Sequence, residues 1–105
     1  MPTKAEEEWL DLIVQLGCIV CILEFLGRTP AEPHHMLSGG RRIGHKATIP
    51  LCFNHHRSGR NDAKVVSRDQ NQRRFEARYG KETYLLEQTK LKVALMLAGK
   101  LEEDI

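Results

Sequence analysis

Trp9, Leu12, Ile13 and Leu16 fall at the i, i+3, i+4 and i+7 positions of one helical face. Thr3 followed by Glu6 has the spacing of a capping box, and the acidic run Glu6 to Glu8 suits the positive end of a helix dipole. With Gly17 as a stop, the pattern predicts an N-terminal helix over residues 1–17 that serves packing. Cys18 to Cys21 reads as a tight turn leading into the apolar stretch Ile22 to Leu26. Residues 27–47 are dense in glycine and proline, which predicts turns and a short hairpin. Ala31 to Met36 and Thr48 to Leu51 are the strand candidates, confined to edge or bulged pairing by Pro33 and Pro50. Asn54 is placed to cap a short helix starting near His55, and Ser58 to Val66 reads as a polar loop. Two further helices are expected, Asp69 to Tyr79 stopped by Gly80 and Thr83 to Leu97, before a frayed acidic tail at Glu102 to Asp104.

At 105 residues the chain is long enough for one domain. The whole of 1–105 is expected to fold as a unit: helix 1–17, a central segment 18–60 and helices within 68–98. A domain of this size has a modest core, so a bound metal would add substantially to its stability. Leu16 to Leu26 is interrupted by Gly17 and Glu24 and is shorter than the roughly 20 apolar residues of a membrane span. The acidic start lacks the basic-then-apolar order of a signal peptide, so a cytoplasmic location is expected and no membrane partner.

Charge changes this picture. The net value is only +2, but residues 28–78 carry eleven Lys or Arg against four acids, whereas residues 1–27 carry one Lys against five acids. A basic middle suits a polyanionic partner. The histidines lie in the same segment.

Three cysteines and five histidines supply the candidate chemistry. An odd cysteine count argues against a closed disulfide set, and in a reducing compartment Cys and His in pairs point to metal. Cys18-x-x-Cys21 and Cys52-x-x-His55 are two such pairs. Each two-residue gap lets both side chains of a turn converge, and two turns complete a tetrahedral Cys₃His zinc site. With all four corners filled by protein, that zinc would be structural.

His34, His35, His45 and His56 remain. Neighbours on a strand point to opposite faces, so one of His34 and His35 could bind a metal while the other faces a substrate. Phosphodiester hydrolysis needs a base near neutral pH and stabilisation of charge on the phosphate. Histidine suits the first task and an open divalent site the second. Arg41, Arg42, Arg57 and Arg60 are near enough in sequence to hold phosphate oxygens.

The segments CIVC, PAEPHHMLSGGRRIGHKATIPLC and NHHRSG, followed by FEARYG, resemble the Ref family of phage recombination-enhancement nucleases, within the HNH endonuclease superfamily. The similarity covers roughly residues 17–86. It implies an α+β fold with a ββα-metal, treble-clef-like core around the structural zinc, flanked by the N- and C-terminal helices. It implies a metal-dependent DNA endonuclease of phage or prophage origin, with RecA-type recombinase filaments as a partner. By position, His34 takes the place of the first catalytic metal ligand, His35 that of the general base and His56 that of the second ligand, for Mg²⁺, Mn²⁺ or Zn²⁺. The middle Asn of the HNH signature would fall near Ala47 or Thr48, which leaves orienting the base to Thr48 or to backbone groups. His45 has no settled role and is assigned loosely to the active site. Ref's long basic N-terminal extension has no counterpart, which leaves open plain nicking or cutting of duplex DNA. The other function class compatible with the same residues is a non-catalytic zinc module that binds DNA or protein. A redox role for Cys18 and Cys21 lacks the βαβ surroundings it requires.

Overall fold

The computed structural model describes residues 3–38, 41–42 and 47–99. It is a small mixed α/β arrangement in the order α1 (Lys4–Leu16), α2 (Ile19–Leu23), β1 (Glu32–His35), β2 (Leu37–Ser38), β3 (Arg41–Arg42), β4 (Thr48–Leu51), α3 (Phe53–His56), α4 (Gln72–Tyr79) and α5 (Glu82–Leu97).

Helix α1 starts as its sequence dictates. The Glu6 N–H donates to Thr3 Oγ1 at 3.2 Å, and the Thr3 N–H donates to Glu6 Oε1 at 2.8 Å, so two end donors are satisfied reciprocally. Ile13 and Leu16 are buried and, with Trp9 and Leu12 beside them, pack on Val93 of α5. Gly17 ends the helix at φ +94°, where a Cβ would lie 2.9 Å from the Thr29 carbonyl oxygen. That close approach brings the Cys18 N–H to the same carbonyl at 3.0 Å and sets the start of the next segment.

Cys18 to Cys21, expected as a tight turn, instead opens a short helix. Cys18 is its N-cap, and Cys18 Sγ accepts from the Cys21 N–H at 3.5 Å. The apolar run drives this, because Ile19, Val20, Cys21 and Ile22 are all buried between the sheet and the C-terminal helices.

Strands β1 and β4 pair antiparallel, with Glu32 opposite Leu51, Pro33 opposite Pro50, His34 opposite Ile49 and His35 opposite Thr48. The ladder continues with the Met36 N–H donating to the Ala47 carbonyl at 2.9 Å. Because ladder pairs alternate, the two prolines meet at a non-hydrogen-bonded position, where neither lacks a partner for a missing N–H. His35 and Thr48 form the next non-hydrogen-bonded pair, the kind in which side chains approach closest. Alternation puts Glu32 and His34 on one face of the ribbon and His35 on the other. Strands β2 and β3 make the short hairpin beyond it.

Helix α3 is capped by Cys52, not by Asn54. Helix α4 begins at Gln72, three residues later than its polar pattern suggests. Asp69 therefore lies in a turn before the helix, with consequences described below. The main core gathers Ile19, Ile49, Leu51, Val66, Phe75 and Leu85 around the cysteines. No helix among the described residues is long and apolar enough to cross a membrane. The acidic tail at Glu102 to Asp104 lies outside the described residues.

Candidate metal centres

Two groups of converging donors flank helix α3. The first consists of Cys18, Cys21, Cys52 and His55, all buried. His55 Nδ1 lies 3.8 Å from Cys18 Sγ, 3.5 Å from Cys21 Sγ and 3.2 Å from Cys52 Sγ, and the Sγ atoms of Cys21 and Cys52 are 3.8 Å apart. A tetrahedron with metal–sulfur bonds of about 2.3 Å and a metal–nitrogen bond of about 2.0–2.1 Å has edges of roughly 3.5–3.8 Å. The donors thus already stand at the corners such an ion requires. Their electrostatics point the same way. Hydrogen bonds with Cys18 and Cys21 pull the Cys52 thiol far below its ordinary range, and hydrogen bonds with Cys21 and Cys52, together with burial, push the Cys18 thiol far above it. Burial lowers the His55 pKa, but Cys21 and Cys52 outweigh it and raise the value to about 9. The cluster therefore favours positive charge at its middle, which a divalent cation supplies better than a proton. Four protein donors and full burial leave no position for a substrate, so the residues fit a structural ion.

The second group consists of His34, His56 and Asp69. His34 Nδ1 faces His56 Nε2 at 3.2 Å, and Asp69 Oδ2 lies 3.7 Å from the same His56 nitrogen. Each ring is held by a carboxylate on its far side. His34 Nε2 is 2.8 Å from Glu82 Oε1, and His56 Nδ1 is 2.7 Å from Glu32 Oε1. An ionised carboxylate only accepts hydrogen bonds, so the proton of each neutral imidazole sits on the nitrogen facing its glutamate. Lone pairs of His34 Nδ1 and His56 Nε2 are then aimed at one point. This is the carboxylate–histidine arrangement that orients metal ligands. Two nitrogens at about 2.0–2.1 Å from a shared ion at a tetrahedral angle stand about 3.3 Å apart, close to the separation here.

Both glutamates are held ionised. Arg57 binds Glu32 in bidentate fashion, Nε to Oε1 at 2.7 Å and Nη2 to Oε2 at 3.2 Å, and this pairing keeps the Glu32 carboxyl below the ordinary range despite some burial. Burial pushes Glu82 upward, but hydrogen bonds from His34 and Arg68 win and hold it below that range. Arg68 Nε reaches Glu82 Oε1 at 2.5 Å.

Local backbone pairing assembles this group. The pleat of β1 delivers Glu32 and His34 to one face. The last turn of α3 delivers His56, and its free carbonyls accept from the next loop: the Arg68 N–H donates to His55 O at 2.8 Å and the Asp69 N–H to His56 O at 2.9 Å. Arg68 and Asp69 are docked beside the histidines as a result. The first residue of α5 supplies Glu82. His34 is 5 % exposed, whereas the Asp69 side chain is 40 % exposed. Unlike the first group, this one is closed on one side and open to solvent on the other.

All four residues expected to bind zinc therefore converge, as do the two histidines expected to bind a second ion. His35 belongs to neither group; it lies half-buried across from Thr48. Arg57 is engaged by Glu32 and stacks its guanidinium 5.1 Å from the centre of the Phe53 ring. Arg60 pairs with Asp62, Nε to Oδ2 at 3.1 Å and Nη2 to Oδ2 at 3.0 Å. Arg41 and Arg42 form β3, but their side chains, and all of His45, lie outside the described residues. Sequence reading missed Asp69, Glu82, Glu32 and Arg68. Only Glu32 carried a usable signal, because it stands two residues before His34 and so shares its strand face.

Residues 2–94 match the model of a protein family described as recombination enhancement, RecA-dependent nuclease, a span that contains both groups of donors. No curated protein matches the chain.

Proposed function

Because this chain belongs to the recombination-enhancement, RecA-dependent nuclease family, we propose that it is a metal-dependent DNA endonuclease of the HNH, ββα-metal type, acting on phosphodiester bonds with a RecA-type filament as its functional partner. In this reading β1, β4 and α3 are the ββα unit and the whole chain is one nuclease domain in a bacterial cytoplasm. Cys18, Cys21, Cys52 and His55 hold a structural zinc. His34, His56 and Asp69 hold the catalytic ion, Mg²⁺, Mn²⁺ or Zn²⁺.

The observation that carries the proposal is the pair of imidazole lone pairs converging at 3.2 Å beside a solvent-accessible carboxylate, each ring fixed from behind by a glutamate. A purely structural zinc module has no use for that second, half-open set of donors. A divalent ion bound there supplies Lewis-acid stabilisation of charge on the phosphate and the leaving oxygen. The remaining work falls to the protein. His35 takes the proton from the attacking water, and Thr48, directly across the ribbon, holds the ring in place. Strand β1 pairs on one side only among the described residues, so a phosphate laid along its other edge would meet both His34 and His35. Arg41, Arg42 and Arg60 are the proposed phosphate contacts. Arg57 can share in that role only while also holding Glu32.

The test is nicking of supercoiled plasmid by purified protein with Mg²⁺ or Mn²⁺, against an EDTA control. Wild-type protein should nick, His56→Ala should not, and both should retain one zinc per chain. Full nicking by His56→Ala, or nicking that ignores EDTA, would overturn the reading.

A further inference from the structure

Glu82 lies forty-eight residues from His34 and is buried, yet it touches that ring at 2.8 Å. The same oxygen, Oε1, also receives Arg68 Nε, so two donors converge on one acceptor atom. Arg68 in turn brings Nη1 within 3.6 Å of Asp69 Oδ1. A continuous chain of contacts therefore runs from His34 through Glu82 and Arg68 to Asp69. Its two ends are two of the three side chains that converge at the open centre. His56 is backed in the same manner by Glu32 and Arg57, but that pair is far more exposed, with Arg57 at 57 % against 12 % for Arg68.

We propose that Glu82 is a positioning residue for the catalytic centre: it fixes the ring and tautomer of His34 and, with Arg68, makes the first turn of the C-terminal helix α5 part of the nuclease site. The inference rests on the metal-dependent reading above. Removing Glu82 would free His34 to rotate and to place its proton on Nδ1, the nitrogen that must carry a lone pair. A buried ion pair contributes little net stability, because desolvation offsets most of its attraction. Arg68 with Glu82 is therefore poorly explained as a staple. Its position explains it better, since the pair links a histidine on β1 to a carboxylate in the loop before α4.

The experiment is Mn²⁺ binding to zinc-loaded protein by calorimetry, with zinc counted per chain, for wild type, Glu82→Ala, Glu82→Gln and His56→Ala. Wild type should take up one Mn²⁺ that His56→Ala does not. Glu82→Ala should bind it roughly 10–100-fold more weakly with zinc unchanged, the usual effect of losing such a support. Glu82→Gln should fall between, since its amide oxygen still accepts from His34 while the charge is lost. In ¹⁵N spectra His34 should carry its proton on Nε2 in wild type and show a mixture of tautomers in Glu82→Ala. Wild-type Mn²⁺ affinity in both Glu82 variants would overturn the inference while leaving the nuclease reading intact. If wild type binds no second ion, or binds it no better than His56→Ala, the nuclease reading fails and this inference with it. Should Glu82→Ala lose its zinc, the isosteric Glu82→Gln decides alone.

Discussion

His34 and His56 meet edge to face, ring centroids 4.9 Å apart, with Nδ1 of the first 3.2 Å from Nε2 of the second. They come from a strand and from a helix twenty-two positions later, so their meeting is a product of the fold. His35, the neighbour of His34, is turned away from that meeting by the pleat. Adjacent histidines are thus given different environments and, under the proposed function, different tasks, one as a metal ligand and the other as the general base.

The first prediction separates those tasks. His56→Ala should lose both plasmid nicking and the second metal, whereas His35→Ala should lose nicking by two orders of magnitude or more, as about 10²–10⁴-fold is typical of a general base, and still bind Mn²⁺ like wild type. Calorimetry beside a nicking assay reads both quantities. A His35→Ala protein with weakened Mn²⁺ binding would make His35 a ligand and not the base.

Asp69 yields a second prediction. Its carboxylate faces His56 Nε2 while its backbone N–H is tied to the His56 carbonyl at 2.9 Å. Asp69→Asn keeps the backbone tie and side-chain size but removes the charge. The variant should fold with a full zinc complement, bind Mn²⁺ about tenfold or more weakly, and nick correspondingly slowly at limiting metal, as loss of a group that supports metal binding generally does. Recovery of nicking at high Mn²⁺ would distinguish weakened binding from loss of a proton-transfer group.

Asp69 also shows what sequence reading could and could not reach. The capping box of Thr3 and Glu6, the strands carrying His34 and Thr48, and the Cys and His pairs were visible because each is a pattern over a few residues. Convergence of Cys18 and Cys21 with Cys52 and His55 could be inferred across thirty residues because donor chemistry left them few other uses. Carboxylates have many uses. Asp69 reads as the acidic opening of a helix, and Glu82 falls just before the expected start of the next one at Thr83. What assigns them is that the loop carrying Arg68 and Asp69 supplies the N–H groups that the carbonyls of α3 need, and no local periodicity records that exchange. The helix at Cys18 to Cys21 is hidden from sequence reading for a related reason. A five-residue helix is too short to show amphipathic repetition and forms because its apolar side chains are buried on several sides.

A third prediction concerns the closed Cys₃His group. Its residues join α2, β4 and α3 at the centre of the main core. Structural zinc contributes on the order of 10 kcal/mol or more, comparable to the whole net stability of a small domain, about 5–15 kcal/mol. Cys52→Ser, or prolonged chelation strong enough to strip zinc, should abolish the cooperative thermal transition and most of the helical circular dichroism. A metal-free protein that kept a wild-type melting curve would show that the cysteines are simply buried.

Tyr79 carries the last prediction, which concerns the wall behind the Cys₃His group. Its hydroxyl accepts from the buried Val66 N–H at 3.1 Å, and its ring stands edge-on to His55 at 5.2 Å between centroids. Tyr79→Phe keeps the ring but leaves the Val66 N–H unpaired in the core, which should cost about 1–3 kcal/mol in urea denaturation at neutral pH. The pH dependence has a definite sign. Burial raises the Tyr79 pKa, and this outweighs the opposing hydrogen bond from Val66 and the charge of Arg78. The folded state therefore holds the phenol proton more tightly than the unfolded chain, whose tyrosine titrates near an ordinary value of about 10. The associated stability is complete below that value and disappears as pH rises through the higher folded value. Wild type should lose stability in that alkaline window, and Tyr79→Phe, lacking the group, should lose less. Parallel alkaline slopes for the two proteins would mean that the Tyr79 hydroxyl titrates alike in both states, and that the Val66 contact does not place it in a desolvated site.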